Sequence, residues 1–118
     1  MVTEHDKANL FIYGSLRDPL IFKSVCGLSF TLRPSHKDSD TLFGELAFLS
    51  GYRRVSPDNV YYYAVRDDNA KIEGFVVHDV PAPALAAIDR YEGKFYEREY
   101  VQVNTAGGTV SAFAYLAS

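Results

Sequence analysis

The sequence predicts one α+β domain in which strands outnumber helices. Its 118 residues suit a single domain, which we expect to span residues 1–118. Hydrophobic residues make up 47% of the chain and charged residues 23%, ordinary proportions for a globular protein with one core. Helical periodicity is confined to two short stretches, whereas most of the chain has the β-rich pattern of strands.

The first segment predicts a strand, a tight loop and a helix in quick succession. Residues 9–13 are an apolar run rich in β-forming side chains, and this run stops at Gly14. Asp18 and Pro19 then resemble a helix start, because an N-cap side chain precedes a proline at the first helical position. We expect this helix to end at Gly27.

The middle of the chain predicts extended structure. Residues 28–33 and 41–49 are β-rich runs separated by a polar stretch. Residues 60–65 and 71–77 are two more, and the Asp-Asp-Asn sequence at 67–69 between them predicts a hairpin turn.

The last part of the chain predicts one helix and one hairpin. Residues 81–91 carry an apolar helical stripe, and Gly93 lies where a glycine commonly ends a helix. Residues 95–103 and 109–116 predict two paired strands that turn at Ala-Gly-Gly, residues 106–108.

Composition argues against several classes of partner. The net charge is −3 and the densest basic step is Arg53-Arg54, which disfavours nucleic acid. No apolar stretch approaches the roughly 18 residues of a membrane span, and residues 1–9 lack the apolar run of a secretory signal. Cys26 is the only cysteine, which fits a reducing compartment. We therefore expect a cytoplasmic protein with no nucleic-acid or membrane partner.

The loop Tyr13-Gly14-Ser15-Leu16 is the first candidate site. A strand that runs through a glycine into a helix start exposes backbone N–H groups, and these favour an anion. Ser15 adds a hydroxyl donor, and Arg17 is near enough to add positive charge. A plain strand-to-helix turn explains the same spacing. A P-loop and a dinucleotide fingerprint are both excluded, because their further glycines and lysine are missing.

Glu92 is the second candidate. In a helix it follows Leu85 and Ile88 on the same side, so it points where two apolar side chains point. Burial and the C-terminal end of the helix dipole both raise the pKa of a carboxyl group, which suits a general base near neutral pH. The alternative is a helix that frays before Glu92 and leaves it solvated. Asp89 better suits a capping or surface role.

Other residue types predict no metal or cofactor. His5, His36 and His78 lack metal-ligand spacing, and no serine elbow or catalytic triad is present. Cys26 in an apolar helix indicates packing rather than nucleophilic chemistry. Tyr96 lies just beyond Glu92 and can hydrogen-bond that carboxylate or a substrate; alone it indicates core.

Taken together, these residues resemble the γ-glutamyl cyclotransferase-like superfamily, which includes the small AIG2-like proteins. The matching pieces follow the family order and are Phe11-Ile12-Tyr13-Gly14-Ser15-Leu16-Arg17, Gly51-Tyr52-Arg53-Arg54, Ile72-Glu73-Gly74-Phe75-Val76, Ile88-Asp89-Arg90-Tyr91-Glu92-Gly93, Tyr96-Glu97-Arg98 and Val101-Gln102-Val103. The Tyr-Gly-Ser-Leu and Tyr-Glu-Gly pieces are the most specific. Residues 28–50 carry no match of this kind.

The resemblance implies a small mixed β-barrel with flanking helices and a pocket at one mouth. It implies that Tyr13, Gly14, Ser15 and Leu16 bind the α-carboxylate end of a γ-glutamyl group, with Tyr96 nearby and Glu92 as general acid/base. The expected reaction is cyclisation of a small γ-glutamyl substrate to 5-oxoproline, without metal or cofactor. A non-catalytic module that binds a γ-glutamyl or other small carboxylate ligand is the alternative. The leaving amine and the oligomeric state stay open.

Overall fold

A computed structural model describes residues 7–32, 41–56, 63–93 and 96–117. The strands are β1 (Lys7–Ile12), β2 (Ser29–Thr31), β3 (Thr41–Val55), β4 (Tyr63–Pro81), β5 (Tyr96–Thr105) and β6 (Gly108–Ala117). The helices are α1 (Pro19–Cys26) and α2 (Ala82–Glu92), and a 3-10 turn (Ser15–Arg17) precedes α1. The predicted excess of strands over helices is confirmed. No helix within these ranges is long and apolar enough to cross a bilayer.

The strands form one mixed sheet with the order β2-β3-β4-β1-β6-β5. The β1–β6 and β2–β3 pairs are parallel, whereas β1–β4, β3–β4 and β5–β6 are antiparallel. A short additional pairing joins β3 to β5, with Ala47 opposite Thr105 and Phe48 opposite Asn104. Strands β3, β4, β1, β6 and β5 therefore form a ring. The predicted α+β class is confirmed, and the ring is close to the barrel that the resemblance implied.

The helix ends lie where capping chemistry puts them. The Asp18 side chain accepts a hydrogen bond from the Leu20 N–H at 2.9 Å, and Gly27 ends α1 with a left-handed φ of 81°. Helix α2 begins after Pro81 and ends at Gly93, which has a φ of 73°. The first predicted helix matches and the second is displaced by one residue. The final hairpin is also as predicted, with Thr105 paired to Gly108.

The predicted hairpin turn at residues 67–69 is wrong. Strand β4 continues through this stretch and stays paired with β3 on both sides, with Tyr52 opposite Arg66 and Ser50 opposite Lys71. The Asn69 N–H does donate to the Asp67 side chain at 3.0 Å, so the turn chemistry is present locally. Pairing with the 15-residue strand β3 keeps the chain running in the same direction through residues 67–70. These residues form a bulge opposite Gly51. The part of this prediction at residues 60–62, and the polar stretch at 34–40, lie outside the described residues.

Buried side chains form two clusters on opposite sides of β1. Leu10 and Ile12 belong to a cluster with both helices, whereas Phe11 and Tyr13 belong to the cluster within the ring. This division follows from the alternation of side chains along a strand. The end of β1 therefore lies at the boundary between helices and ring, where the next loop begins.

Candidate functional site

A pocket of about 230 Å³ opens where β1 ends, beside the C-terminal end of α2 and the strands β5 and β6. Its lining residues are Phe11, Ile12, Tyr13, Gly14, Ser15, Leu16, Tyr91, Glu92, Tyr96 and Tyr115. The fold thus brings the four predicted loop residues, Glu92 and Tyr96 into one cavity, whereas Arg17 lies outside it. Their roles remain a prediction.

The residues Tyr13, Gly14, Ser15 and Leu16, here called the anion loop, connect β1 to the 3-10 turn. The strand ladder between β1 and β4 ends at Ile12, paired with Phe75. The 3-10 turn then begins with the Arg17 N–H donating to the Gly14 carbonyl at 3.1 Å. Leu16 is buried and secures the loop to the helical cluster, whereas Ser15 is exposed. Gly14 has a φ of −116°, so its backbone is not in the left-handed region that favours glycine.

Gly74 allows the end of β1 to lie close to β4. A Cβ atom at this position would come within 2.3 Å of the Ile12 carbonyl oxygen and 2.9 Å of the Phe11 ring. Only glycine permits so close an approach, so Gly74 helps to set where the anion loop starts.

Ser15 and Tyr91 connect the anion loop to helix α2. The Ser15 Oγ and the Tyr91 hydroxyl share a hydrogen bond at 2.7 Å, although 76 residues separate them in the chain. Tyr91 is 45% exposed, which places its ring at the pocket mouth. Sequence reasoning missed Tyr91 as a lining residue; its position directly before Glu92 was the available signal.

Glu92 is the last residue of α2, so the alternative in which the helix frays before it is not what forms. Its side chain is half-buried and faces the pocket beside the fully buried Ile88. Burial raises the pKa of this carboxyl group from 4.5 to about 7. Near neutral pH, Glu92 therefore populates both its protonated and its ionised form, as a general acid/base requires.

Two buried tyrosines adjoin Glu92. The Tyr13 hydroxyl donates to the main-chain carbonyl of Tyr115, and the Tyr115 hydroxyl donates to the Asp89 carboxylate at 2.6 Å. Burial is the main cause that raises the pKa of both phenols, and the negative charge of Glu92 adds to it. Both phenols therefore stay protonated at neutral pH, and their protons are already committed to partners within the protein.

Asp89, for which the sequence favours a capping or surface role, is partly exposed and in addition makes specific side-chain contacts. Asp89 accepts the hydrogen bond from Tyr115 and lies 3.5 Å from the Nε of Arg98, so it supports the wall of the pocket. Tyr115 itself was not predicted, because it lies 26 residues from Asp89 and only the pairing of β5 with β6 brings it to the site.

Tyr96 lines the pocket from the start of β5. Its ring stacks on that of Tyr63, with the centroids 5.5 Å apart and the planes 16° from parallel. This stacking sets the orientation of the Tyr96 ring from outside the cavity.

Arg17 does not line this pocket, contrary to the expectation that it adds charge there. Its Nε donates to the Gly14 carbonyl at 3.1 Å, because the side chain folds back over its own 3-10 turn. It lines a second cavity, here called the basic depression, with Arg53, Arg54 and Lys71. The pairing of β3 with β4 brings Lys71 near Arg53 and Arg54, and Arg17 joins them from the 3-10 turn.

Within the described ranges, no group of three or more His, Cys, Asp or Glu side chains could hold a metal ion. His78 instead pairs with Glu45 at 2.6 Å. The Cys26 thiol donates to the Phe22 carbonyl at 3.3 Å, and burial raises its pKa. His5 and His36 lie outside the described residues.

The family model described as γ-glutamyl cyclotransferase, AIG2-like, matches residues 10–118. A comparison with curated proteins found no similar sequence. An Arabidopsis thaliana protein solved in solution superposes with a TM-score of 0.77 at 25% identity, over 99% of this chain and 65% of that one.

Two further structures show the same fold. A γ-glutamyl cyclotransferase has a TM-score of 0.73 at 16% identity, over 96% of this chain and 68% of that one. A mouse AIG2-like protein (Mus musculus) has a TM-score of 0.61 at 21% identity, over 97% of this chain and 79% of that one. The chain spans about two thirds of the length of the first two of these proteins.

Proposed function

Since this chain belongs to the γ-glutamyl cyclotransferase, AIG2-like family, we propose that it cleaves a γ-glutamyl amide by cyclisation. The α-amine of the substrate attacks its own γ-carbonyl, which releases 5-oxoproline and an amine. The observation that carries this proposal is one pocket that holds both the anion loop and Glu92, a carboxyl group with a pKa raised to about 7.

The anion loop binds the α-carboxylate of the substrate in this proposal. Backbone N–H groups at the start of a helical turn favour a negative group, and the Ser15 hydroxyl, which shares a hydrogen bond with Tyr91, adds a donor. The cavity of about 230 Å³ is smaller than typical ligand pockets of roughly 300–1,000 Å³. A γ-glutamyl group therefore fills it, and the leaving amine extends toward the solvent.

Glu92 transfers the protons. Its carboxylate takes a proton from the substrate ammonium, and the free amine then forms a C–N bond to the γ-carbon. As the bond to the leaving nitrogen breaks, the protonated Glu92 gives its proton to that nitrogen. The carboxylate so regenerated takes the second proton from the ring nitrogen and passes it to the released amine, which leaves as an ammonium ion. The same carboxyl group thus serves as base and then acid, and the pKa of about 7 balances the two roles.

No protein nucleophile is needed, because the attacking amine is already tethered to the carbonyl. Favourable intramolecular orientation lowers a barrier by about 7–11 kcal/mol. What the protein must supply is the folded conformation of the substrate, held by the carboxylate at one end. The protonated Tyr13 and Tyr115 keep the wall beside Glu92 uncharged.

The test is a panel of γ-glutamyl amino acids, γ-glutamyl amines and glutathione, with 5-oxoproline measured as the product. We expect release from at least one class. Absence of product from every member would overturn the enzyme proposal. A ligand-induced rise in melting temperature without any product would instead identify the non-catalytic module.

A further inference from the structure

The anion loop is held from its outer side by two arginines. The Arg54 Nη1 donates to the Tyr13 carbonyl at 3.2 Å, and the Arg17 Nε donates to the Gly14 carbonyl at 3.1 Å. Both guanidinium groups belong to the basic depression, whose lining residues are distinct from those of the site pocket. The loop therefore lies between the pocket and the two arginines.

The hydrogen bonds to the Tyr13 and Gly14 carbonyls also fix the direction in which the next N–H groups, those of Gly14 and Ser15, point. The described peptide bonds are all trans, and in a trans peptide the N–H points opposite to the C=O. Holding the Tyr13 carbonyl on the arginine side therefore turns the Gly14 N–H the other way. Holding the Gly14 carbonyl does the same for the Ser15 N–H.

Among the described residues, neither N–H group donates within the β1–β4 ladder or the 3-10 turn. The β1–β4 ladder ends at Ile12, and the donors of the 3-10 turn are Arg17 and Asp18. Each guanidinium also polarises the peptide whose oxygen it contacts, which makes the N–H of that peptide a better donor.

We propose that Arg17 and Arg54 are positioning residues that aim the Gly14 and Ser15 N–H groups at the carboxylate of the ligand. They act from behind the loop and do not touch the ligand. This inference rests on the proposed function for the identity of that carboxylate.

Arg53 is the matched control. It lines the same depression and carries the same charge, but its Nε pairs with Asp67 at 3.3 Å instead of contacting the loop. A purely long-range effect of positive charge would make Arg53 and Arg54 equivalent. Support through hydrogen bonds to the loop makes them different.

The experiment compares 5-oxoproline with 5-oxoprolinamide, in which a neutral carboxamide replaces the carboxylate. Binding to wild type, Arg17→Met, Arg54→Met and Arg53→Met is followed through the amide NMR signals of Gly14 and Ser15. We expect Arg17→Met and Arg54→Met to weaken the binding of 5-oxoproline about tenfold. This is the loss of affinity expected when a hydrogen bond to a charged group is weakened. The affinity for the amide should change less than twofold, and Arg53→Met should behave as wild type.

Three outcomes would overturn the inference. The first is an equal loss of affinity for the acid and the amide. The second is an equal loss of affinity in Arg53→Met and Arg54→Met. The third is a wild-type loop whose Gly14 and Ser15 signals do not respond to 5-oxoproline. A response centred on Arg54 and Lys71 would instead make the basic depression the anion site. Arg54→Lys adds a further check, because a single N–H that still reaches the Tyr13 carbonyl should restore part of the acid affinity.

Turnover is measured separately, so the two proposals can fail independently. Acid binding that depends on the arginines, without 5-oxoproline release from any substrate, removes the proposed function and leaves this inference. Release of 5-oxoproline, with equal affinity for it in the Arg54 and Arg53 variants, supports the proposed function and removes this inference.

Discussion

At the scale of single residues, the proposed chemistry depends on the position of Glu92, the last residue of helix α2. Glu92 shares a helix face with Leu85 and Ile88, and the half-burial that results raises its pKa to about 7. The periodicity of α2 alone predicts this direction. The phenols of Tyr13 and Tyr115 beside it come from the anion loop and from β6, outside the helix, and the helical pattern carries no information about them.

Replacing Glu92 by glutamine should abolish proton transfer with little change to the fold, because the amide has nearly the same shape. We expect 5-oxoproline release to fall by about 10²–10⁴-fold, the usual contribution of general acid–base catalysis. Turnover by Glu92→Gln within threefold of wild type would remove Glu92 from the mechanism. Glu97→Gln, an exposed position on β5, is the control.

The raised pKa of Glu92 also predicts how stability depends on pH. The folded protein binds this proton up to about pH 7, whereas the unfolded chain releases it near pH 4.5. The contribution of protonated Glu92 to the free energy of unfolding is therefore fully present below pH 4.5 and is lost as the pH rises to about 7. After allowance for solvent screening, we expect a loss of about 1–2 kcal/mol relative to Glu92→Gln over this range. Urea unfolding of both proteins at several pH values measures it, and parallel curves would contradict the prediction.

At the scale of elements, close contact between β4 and the end of β1 positions the anion loop. Gly74 lies where any Cβ atom would meet the Ile12 carbonyl. The helix that follows the loop is predictable from sequence, because Asp18, Pro19 and Gly27 mark the two ends of α1 by local capping rules. The wrong hairpin at residues 67–69 shows the limit of such rules, because an Asx-type turn forms there and the strand still continues.

Gly74→Ala should therefore damage both stability and ligand binding. Overpacking of this kind costs about 1–3 kcal/mol, and the displaced β1 end should weaken the binding of 5-oxoproline. Gly107→Ala is the matched control, because the nearest atom to its new Cβ would be the Thr105 Oγ1 at 3.9 Å. Thermal unfolding and ligand titration of both variants test this, and equal behaviour would refute the account of Gly74.

At the scale of the whole molecule, the ring of strands and the two helices enclose separate clusters that meet at β1. The cluster on the helix side includes Ile88 from α2, Leu10 from β1 and Tyr115 from β6. Because Glu92 follows Ile88 by one helical turn, packing of this cluster also sets the place of the carboxyl group.

Ile88→Ala should lower the free energy of unfolding by about 2–5 kcal/mol, since Ile88 is fully buried. It should also raise KM, because α2 would no longer be held against the sheet. Leu20→Ala removes a comparable side chain that is 80% exposed, and there the change should stay within about 0.5 kcal/mol. Denaturant unfolding of the two variants gives the comparison; similar losses would contradict the assignment of Ile88 to the core.

The sequence by itself determined the α+β class, both helices to within one residue, the caps of α1, the last hairpin and the face of α2 that carries Glu92. These features depend on side chains within a few residues of one another, where propensity, capping and periodicity act. Only the tertiary structure decided that the anion loop meets Glu92, that Tyr115 reaches Asp89 and that Arg17 and Arg54 lie behind the loop. The physical reason is that strand order and register bring distant residues together, and these depend on the packing of the whole chain.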